Sequence, residues 1–179
     1  MFIQSEHIYL RALEPSDLAI LYTTENNIAI WKVSNTLTPY SRAILELYLE
    51  TAHQDIYATK QLRLMICLNS TNEPIGTIDL FEFEPMHLRV GVGVLIFEAY
   101  RKKGFAFEAI ELVKAYTRDT LLMHQLFCNI SLSNSESLSL FEKCGFEIIG
   151  IKKQWNKISS NQFEDELMYQ LVFSQNPEP

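Results

Sequence analysis

Hydrophobic spacing along the chain changes period several times, from alternation to helical recurrence and back. Ile8 to Leu13 alternates as a strand, and Pro15, Ser16 and Asp17 then open a helix whose apolar residues Leu18, Leu21 and Tyr22 fall at three- and four-residue spacing. Asn26 to Pro39 reads as a polar connection, after which Ser41 caps a second helix bearing Ile44, Leu45, Tyr48 and Ala52. Leu62 to Leu68 reads as a strand closed by the turn-forming cluster Asn69, Ser70, Thr71 and Asn72.

The centre is β-rich. Ile75 to Phe83 and Arg89 to Phe97 are strands separated by Glu84, Pro85, Met86 and His87, so an antiparallel hairpin is the economical connection. From Gly104 the period becomes helical, with Ala106, Ala109, Ile110 and Val113 on one stripe, followed by a strand at Gln125 to Leu132 and a helix at Asn134 to Cys144. Ser133 and Glu136 have the spacing of a capping box, and Gly145 stands where a helix C-cap would. Phe146 to Ile151 and Glu166 to Phe173 close the pattern around the polar stretch Asn156 to Asp165. The expectation is an α/β (α+β) chain with a mixed, mostly antiparallel sheet flanked by helices, forming one domain over 1–174 with a frayed tail over 175–179.

Composition narrows the function classes. The 179 residues fit one domain, and 47% hydrophobic with 21% charged residues is an ordinary globular mix. Lys and Arg number 15 against 22 Asp and Glu, and the net charge of −7 argues against a nucleic-acid surface. No stretch approaches the ~18 apolar residues of a spanning helix, and no targeting segment opens the chain, so a cytoplasmic protein without membrane attachment is expected. Cys67, Cys128 and Cys144 contain no Cys-x-x-Cys pair, which predicts reduced, buried thiols, no disulfide framework and no metal site.

The chemistry-bearing segment is Arg101, Lys102, Lys103, Gly104, Phe105 and Ala106, placed directly after an apolar strand and before an amphipathic helix. Amide donors at a helix N-terminus favour phosphate oxygens, Gly104 lets the backbone curl, Ala106 keeps the first turn narrow, and three cations add attraction. No Gly-Lys-Ser/Thr follows and no second or third glycine is present, which removes the nucleoside-triphosphate and dinucleotide fingerprints. Taken alone, the segment also reads as a solvated basic turn.

A second segment, Asn134 to Phe146 (N-S-E-S-L-S-L-F-E-K-C-G-F), resolves that choice. Together with Arg101-x-x-Gly104-x-Ala106 it resembles the two cofactor segments of the GNAT superfamily of acetyl-CoA-dependent N-acetyltransferases. The opening Ile8 to Arg11 with Pro15 to Leu18 is similar to the branch holding ribosomal-protein N-terminal and polyamine acetyltransferases, and Leu80 to Arg89 resembles bacterial spermidine acetyltransferases. The resemblance covers Ile8 to about Phe173 and implies a GNAT fold that transfers acetyl from acetyl-CoA to a polyamine, small amine or peptide N-terminus. It also implies direct attack on the thioester and, by family habit, a homo-oligomer.

The resemblance further implies site residues. Gly93, Val94, Leu95 and Ile96 would pair through their backbone with the pantetheine arm, Arg101 to Ala106 would cradle pyrophosphate, and Asn134 and Phe141 would lie on the cofactor side, Asn134 reading equally as a helix cap. Two departures bear on catalysis: Phe141 stands where relatives carry a proton-donating Tyr, and Gly91 where they often carry a Glu base. Glu82, Glu84 and His87 are then the candidate proton acceptors, with strand alternation placing both carboxylates on one face. Water, Ser137 or Ser139 are alternative donors to the leaving thiolate. Trp31 and Tyr40 read either as an apolar substrate pocket or as core, and Val33 to Tyr40 carries no carboxylate of the kind spermidine acetyltransferases place there. The rival from another class is a non-catalytic acyl-CoA-binding regulatory module.

Overall fold

Each alternating segment becomes a strand of one sheet in the computed structural model of the chain, which describes residues 3–34, 36–52 and 54–173. The strands are β1 (Ile3–Gln4), β2 (Ile8–Ala12), β3 (Leu62–Leu68), β4 (Pro74–Glu84), β5 (Arg89–Ile96), β6 (Gln125–Ser131), β7 (Glu147–Ser159) and β8 (Gln162–Val172). They lie in the order β1-β2-β3-β4-β5-β6-β8-β7. Pairs β1/β2, β3/β4, β4/β5, β6/β8 and β7/β8 are antiparallel, and β5/β6 is parallel. The expected mixed, mostly antiparallel sheet is therefore present. Helix α5 (Phe105–Asp119) supplies the crossover that a parallel pair requires, and α6 (Ser135–Lys143) joins β6 to β7.

The chain divides into two compact units, Met1–Arg11 with Lys60–Pro179 and Ala12–Thr59. The first holds the sheet, α5 and α6. One face of the sheet is apolar throughout: Ile78 and Leu80 of β4, Val90 and Val92 of β5, Leu126 and Cys128 of β6 and Tyr169 of β8 are all at most 3% exposed. α5 contributes Ala109, Ile110 and Val113, each fully buried, as its stripe predicts. Lys114 Nζ donates to the Cys144 carbonyl at the end of α6 (2.7 Å), which ties the two helices together.

The second unit contains α1 (Leu18–Glu25), α2 (Ile28–Ser34), α3 (Arg42–Thr51) and α4 (Ile56–Thr59). The predicted cap holds, since Ser41 Oγ accepts from the Ile44 N–H (3.2 Å). The stretch Asn26 to Pro39 is not the polar connection expected, because α2 forms inside it. Asn27 Oδ1 accepts from the Ala29 N–H (3.0 Å) and starts that helix, and the Trp31 indole N–H donates to the Glu25 carbonyl (2.7 Å). Asn26 bridges to Tyr40 in both directions, Nδ2 to the Tyr40 carbonyl (3.0 Å) and Oδ1 from the Tyr40 N–H (2.8 Å).

Two further expectations change. Strands β7 and β8 run through the polar stretch after Ile151, because the β7/β8 hairpin extends with both faces open to solvent and carries its extra residues in a bulge between Lys152 and Asn156. The capping box of Ser133 and Glu136 does not form. Asn134 is the cap, its Oδ1 accepting from the Ser137 N–H (3.2 Å), while the Ser133 N–H donates to Glu164 Oε2 (3.2 Å). The tail expected at 175–179 lies outside the described residues. Among the described residues no helix is long and apolar enough to cross a membrane.

Gly145 ends α6 as predicted. Its φ is +86°, the Phe146 N–H donates to the Phe141 carbonyl (3.0 Å), the Gly145 N–H donates to the Glu142 carbonyl (3.0 Å), and the two phenyl rings meet edge to face at 5.1 Å. A Cβ at this position would meet only Leu171 Cδ1 at 3.8 Å, an ordinary contact. Gly145→Ala therefore tests the left-handed backbone alone, and its unfolding free energy in urea is expected to fall by about 1–2 kcal/mol.

Candidate active site

Strand β5 pairs with β6 over only three rungs, Arg89 with Gln125, Val90 with Leu126 and Gly91 with Phe127. Both strands continue past that point, β5 to Ile96 and β6 to Ser131, without pairing to each other. On its other side β5 stays paired with β4 as far as Gly76 and Ile96. Alternate N–H and C=O groups of Val92 to Ile96 therefore face an open wedge and can accept an extended chain as an added strand. This is the geometry expected around Gly93, Val94, Leu95 and Ile96.

At the end of β5 the backbone turns sharply. Arg101 Nε donates to the Ile96 carbonyl (3.0 Å), Lys102 adopts φ +61°, and Gly104 adopts φ +88° as the residue preceding α5. The N–H groups of Phe105, Ala106 and Phe107 come before the first intrahelical bond, from the Glu108 N–H to the Gly104 carbonyl (3.2 Å). A side chain built on Gly104 meets nothing within 4 Å. Open space, unpaired amides and the positive end of a 15-residue helix suit a pyrophosphate group, so the chain's own residues fit the CoA portion of acetyl-CoA.

The two segments that resemble cofactor segments approach each other here. Lys102 Nζ lies 3.6 Å from Glu136 Oε1 in the first turn of α6, which brings the Gly104 turn beside the Asn134 cap. Lys103 Nζ sits 5.4 Å from the Tyr100 ring centroid, and the Tyr100 hydroxyl donates to Glu73. Arg101, Lys102 and Lys103 are all exposed and together supply the cationic field, with Lys102 partly offset by Glu136. Asn134 Oδ1 is committed to its cap, which leaves Nδ2 as its donor. Glu108, in the first turn of α5, is pushed upward by burial but held below the ordinary carboxylate range by hydrogen bonds from Ser5 (2.7 Å) and His7 (2.8 Å).

The proposed proton acceptors are not arranged as strand alternation predicts. Between Phe81 and Glu84 the register shifts by one residue, and Glu82 sits at the shift with φ +49°. Glu84, opposite Arg89, shares a face with Phe81, opposite Gly91, whereas Glu82 is the extra residue and is exposed. The two carboxylates are thus not a same-face pair. Glu84 Oε1 accepts from the Met86 N–H (3.1 Å) and supports the hairpin turn, in which His87 is exposed. Trp31 and Tyr40 belong to the other compact unit.

Sequence reasoning missed an aromatic pair over Gly91. Phe81 of β4, Gly91 of β5 and Phe127 of β6 form one row across the sheet, and the two rings meet edge to face at 5.9 Å and 82°. A Cβ at Gly91 would lie 2.3, 2.6 and 2.7 Å from carbons of the Phe81 ring. The position where the family resemblance implies a carboxylate is therefore filled from the neighbouring strand. Phe141 is 4% exposed and packs on Phe146. The cysteines are buried as expected, and burial pushes the Cys144 thiol up to about 11 and raises Cys128 further, which keeps both as poor nucleophiles.

The family profile of the acetyltransferase (GNAT) domain matches residues 7–147, and the chain belongs to that family. It is an acetyl-CoA-dependent N-acetyltransferase. Spermidine N(1)-acetyltransferase of Vibrio cholerae serotype O1 is 25% identical over 147 residues, which cover 79% of this chain and 80% of that enzyme. The SPbeta prophage-derived N-acetyltransferase YokL of Bacillus subtilis is 27% identical over 141 residues, covering 79% and 76%. The crystal structure of the Vibrio cholerae spermidine N-acetyltransferase in complex with CoA and spermine shares the fold, with a TM-score of 0.82 at 23% identity over 92% of this chain and 95% of that one.

Two substitutions test the site. Gly104→Asp places a carboxylate at the helix end, and CoA affinity measured by calorimetry should fall about tenfold or more. Gly91→Ala should cost about 1–3 kcal/mol of stability in urea through collision with Phe81, and much of that loss should return in the Phe81→Leu/Gly91→Ala double variant.

Proposed function

We propose that the chain transfers acetyl from acetyl-CoA to a primary amine by direct attack, with the cofactor in the β5/β6 wedge and its pyrophosphate at the Gly104 turn. The observation that supports this most is the coincidence of an unpaired β5 edge with an open, amide-lined turn at its end. Acetyl-CoA supplies an activated acetyl thioester. The amine nitrogen forms the new C–N bond as the C–S bond breaks, and one amine proton is transferred overall to the sulfur, giving amide and free thiol. Asn134 Nδ2 and the β5 backbone orient the thioester, and a structural Cys nucleophile is not required.

An amine with a Lys-like pKa of about 10.4 is neutral in roughly one molecule in a few thousand at pH 7, so a proton acceptor contributes. Glu82 fits that role better than Glu84 or His87, because its carboxylate projects from a bulge and is not engaged in the turn. A homo-oligomer is supported by the exposed apolar residues Ile148, Ile149, Ile151 and Trp155 along edge strand β7, and by the dodecameric structure of the Vibrio cholerae relative. Use of acetyl-CoA, an intracellular metabolite, supports a cytoplasmic site of action.

The reading is tested by following CoA thiol release with polyamines, small monoamines and peptide N-termini. Turnover on at least one amine is expected. CoA binding with turnover on none would assign the chain to regulatory CoA-binding modules. Phe141→Tyr adds a hydroxyl on the cofactor side of α6. General-acid assistance is typically worth about 10² to 10⁴-fold, and a thiol of pKa about 8.5 leaves well unaided, so a gain of at most about 10² is expected in the acetyl-transfer step measured by rapid quench. No gain, with the hydroxyl seen within reach of the CoA sulfur, would transfer the donor role to Ser137, Ser139 or water.

A further inference from the structure

We infer that Phe81 and Phe127 form the wall on which the acceptor lies, and that the enzyme acetylates a primary amine carried on an apolar, aromatic body rather than a polycationic chain. This rests on the acetyl transfer to an amine proposed above and specifies its substrate class.

The Phe81, Gly91, Phe127 row is the last rung on which β5 and β6 pair, so the rings stand at the apex of the wedge that would hold the thioester. Phe127 is 8% exposed, while Phe81 is only half-buried. The ring lies along a floor of two glycines. A Cβ on Gly91 would be within 2.3 Å of it, and one on Gly93 would be 3.7 Å away. Only glycine at 91 leaves room for the ring where it lies.

Of the carboxylates on this face, Glu84 in the adjoining row accepts from the Met86 N–H of the hairpin turn (3.1 Å), and two others are engaged by cations. Asp79, opposite Gly93, accepts from Arg63 through both oxygens (2.6 and 3.2 Å). Glu166, opposite Ser131, accepts from Lys152 (2.9 Å) and from Asn156 (3.2 Å). A polyamine carries several ammonium groups, and each needs an anionic partner to leave water. The wall instead offers an aromatic surface, with exposed Glu82 at the adjoining bulge for a single amine. A flat apolar body gains area burial and ring contact there.

The test compares kcat/KM for phenethylamine, tryptamine, hexylamine, spermidine and spermine with acetyl-CoA. The wild type should favour phenethylamine over spermidine by about tenfold or more, and Phe81→Ala should remove most of that preference, with Phe127→Leu acting in the same direction. CoA affinity by calorimetry should stay within about twofold, reporting an intact fold and cradle. If Phe81→Ala does not bind CoA, Phe81→Leu is the variant compared, with a partial loss expected. Preference for spermidine in the wild type, or an aromatic preference unchanged in every folded variant, overturns the inference. Turnover of polyamines alone sinks the aromatic wall and leaves N-acetyl transfer standing. Turnover of no amine by a CoA-binding protein sinks both.

Discussion

The parallel pairing of β5 and β6, and its end after three rungs, is the constraint on which the site depends. A parallel pair forces a crossover, so the chain leaving β5 must enter α5 before it can return as β6. That requirement brings a helix N-terminus to the end of the strand whose backbone has just become unpaired. Arg101, bonded to the Ile96 carbonyl, fixes the turn between them. The next connection repeats the device, because β6 delivers the chain to the Asn134 cap of α6, and the Lys102 to Glu136 pair sets the two helix starts side by side. Unpaired strand groups and unpaired helix donors are each costly when buried and inexpensive when hydrated. A ligand that carries amides along its arm and phosphates at its end satisfies both sets at once.

The bulge at Glu82 has the next largest effect, because it sets which residue faces Gly91. Counting back along the hairpin from Glu84 opposite Arg89 without a bulge would place Glu82 opposite Gly91. The extra residue slides the strand by one position and puts Phe81 there instead. A carboxylate beside the vacant base position is exchanged for a ring, and Glu82 moves out to solvent in a left-handed conformation. Glycine at 91 and the bulge in β4 are thus two parts of one arrangement, since either without the other leaves a clash or a hole.

Much of this was legible in the chain. Alternation located β3 to within a residue at either end, the Gly145 and Ser41 caps formed as their spacing implies, and the glycine after the basic triplet lies in the left-handed region that the turn needs. The remainder depended on information that periodicity does not hold. α2 was hidden because Asn27 and its neighbours look like a loop until the Asn27 side chain closes on the Ala29 amide. Ser133 and Asn134 are both good caps, and Asn134 takes the role while the Ser133 amide bonds to Glu164 on β8, a contact distant in sequence. The aromatic pair was invisible for the same reason: a one-residue bulge carries no marker, since Glu82 is not the glycine that usually announces a left-handed bulge residue.

Phe141 and Gly91, in place of the Tyr and the Glu that the family resemblance implies, would leave proton transfer unassisted if the acceptor stayed fully hydrated. An ammonium held against the Phe81 and Phe127 rings, as proposed above, would not be fully hydrated. Desolvation disfavours its charged form, and each unit by which the amine's pKa falls raises the neutral, nucleophilic fraction about tenfold near pH 7. A drop of two units would take that fraction from roughly one in a few thousand to a few per cent, which leaves exposed Glu82 or water to remove the proton to bulk. The apolar wall and the missing carboxylate are therefore compatible parts of one chemistry: with the acceptor in the proposed place, the site would generate its nucleophile by withholding water from the amine more than by supplying a strong base.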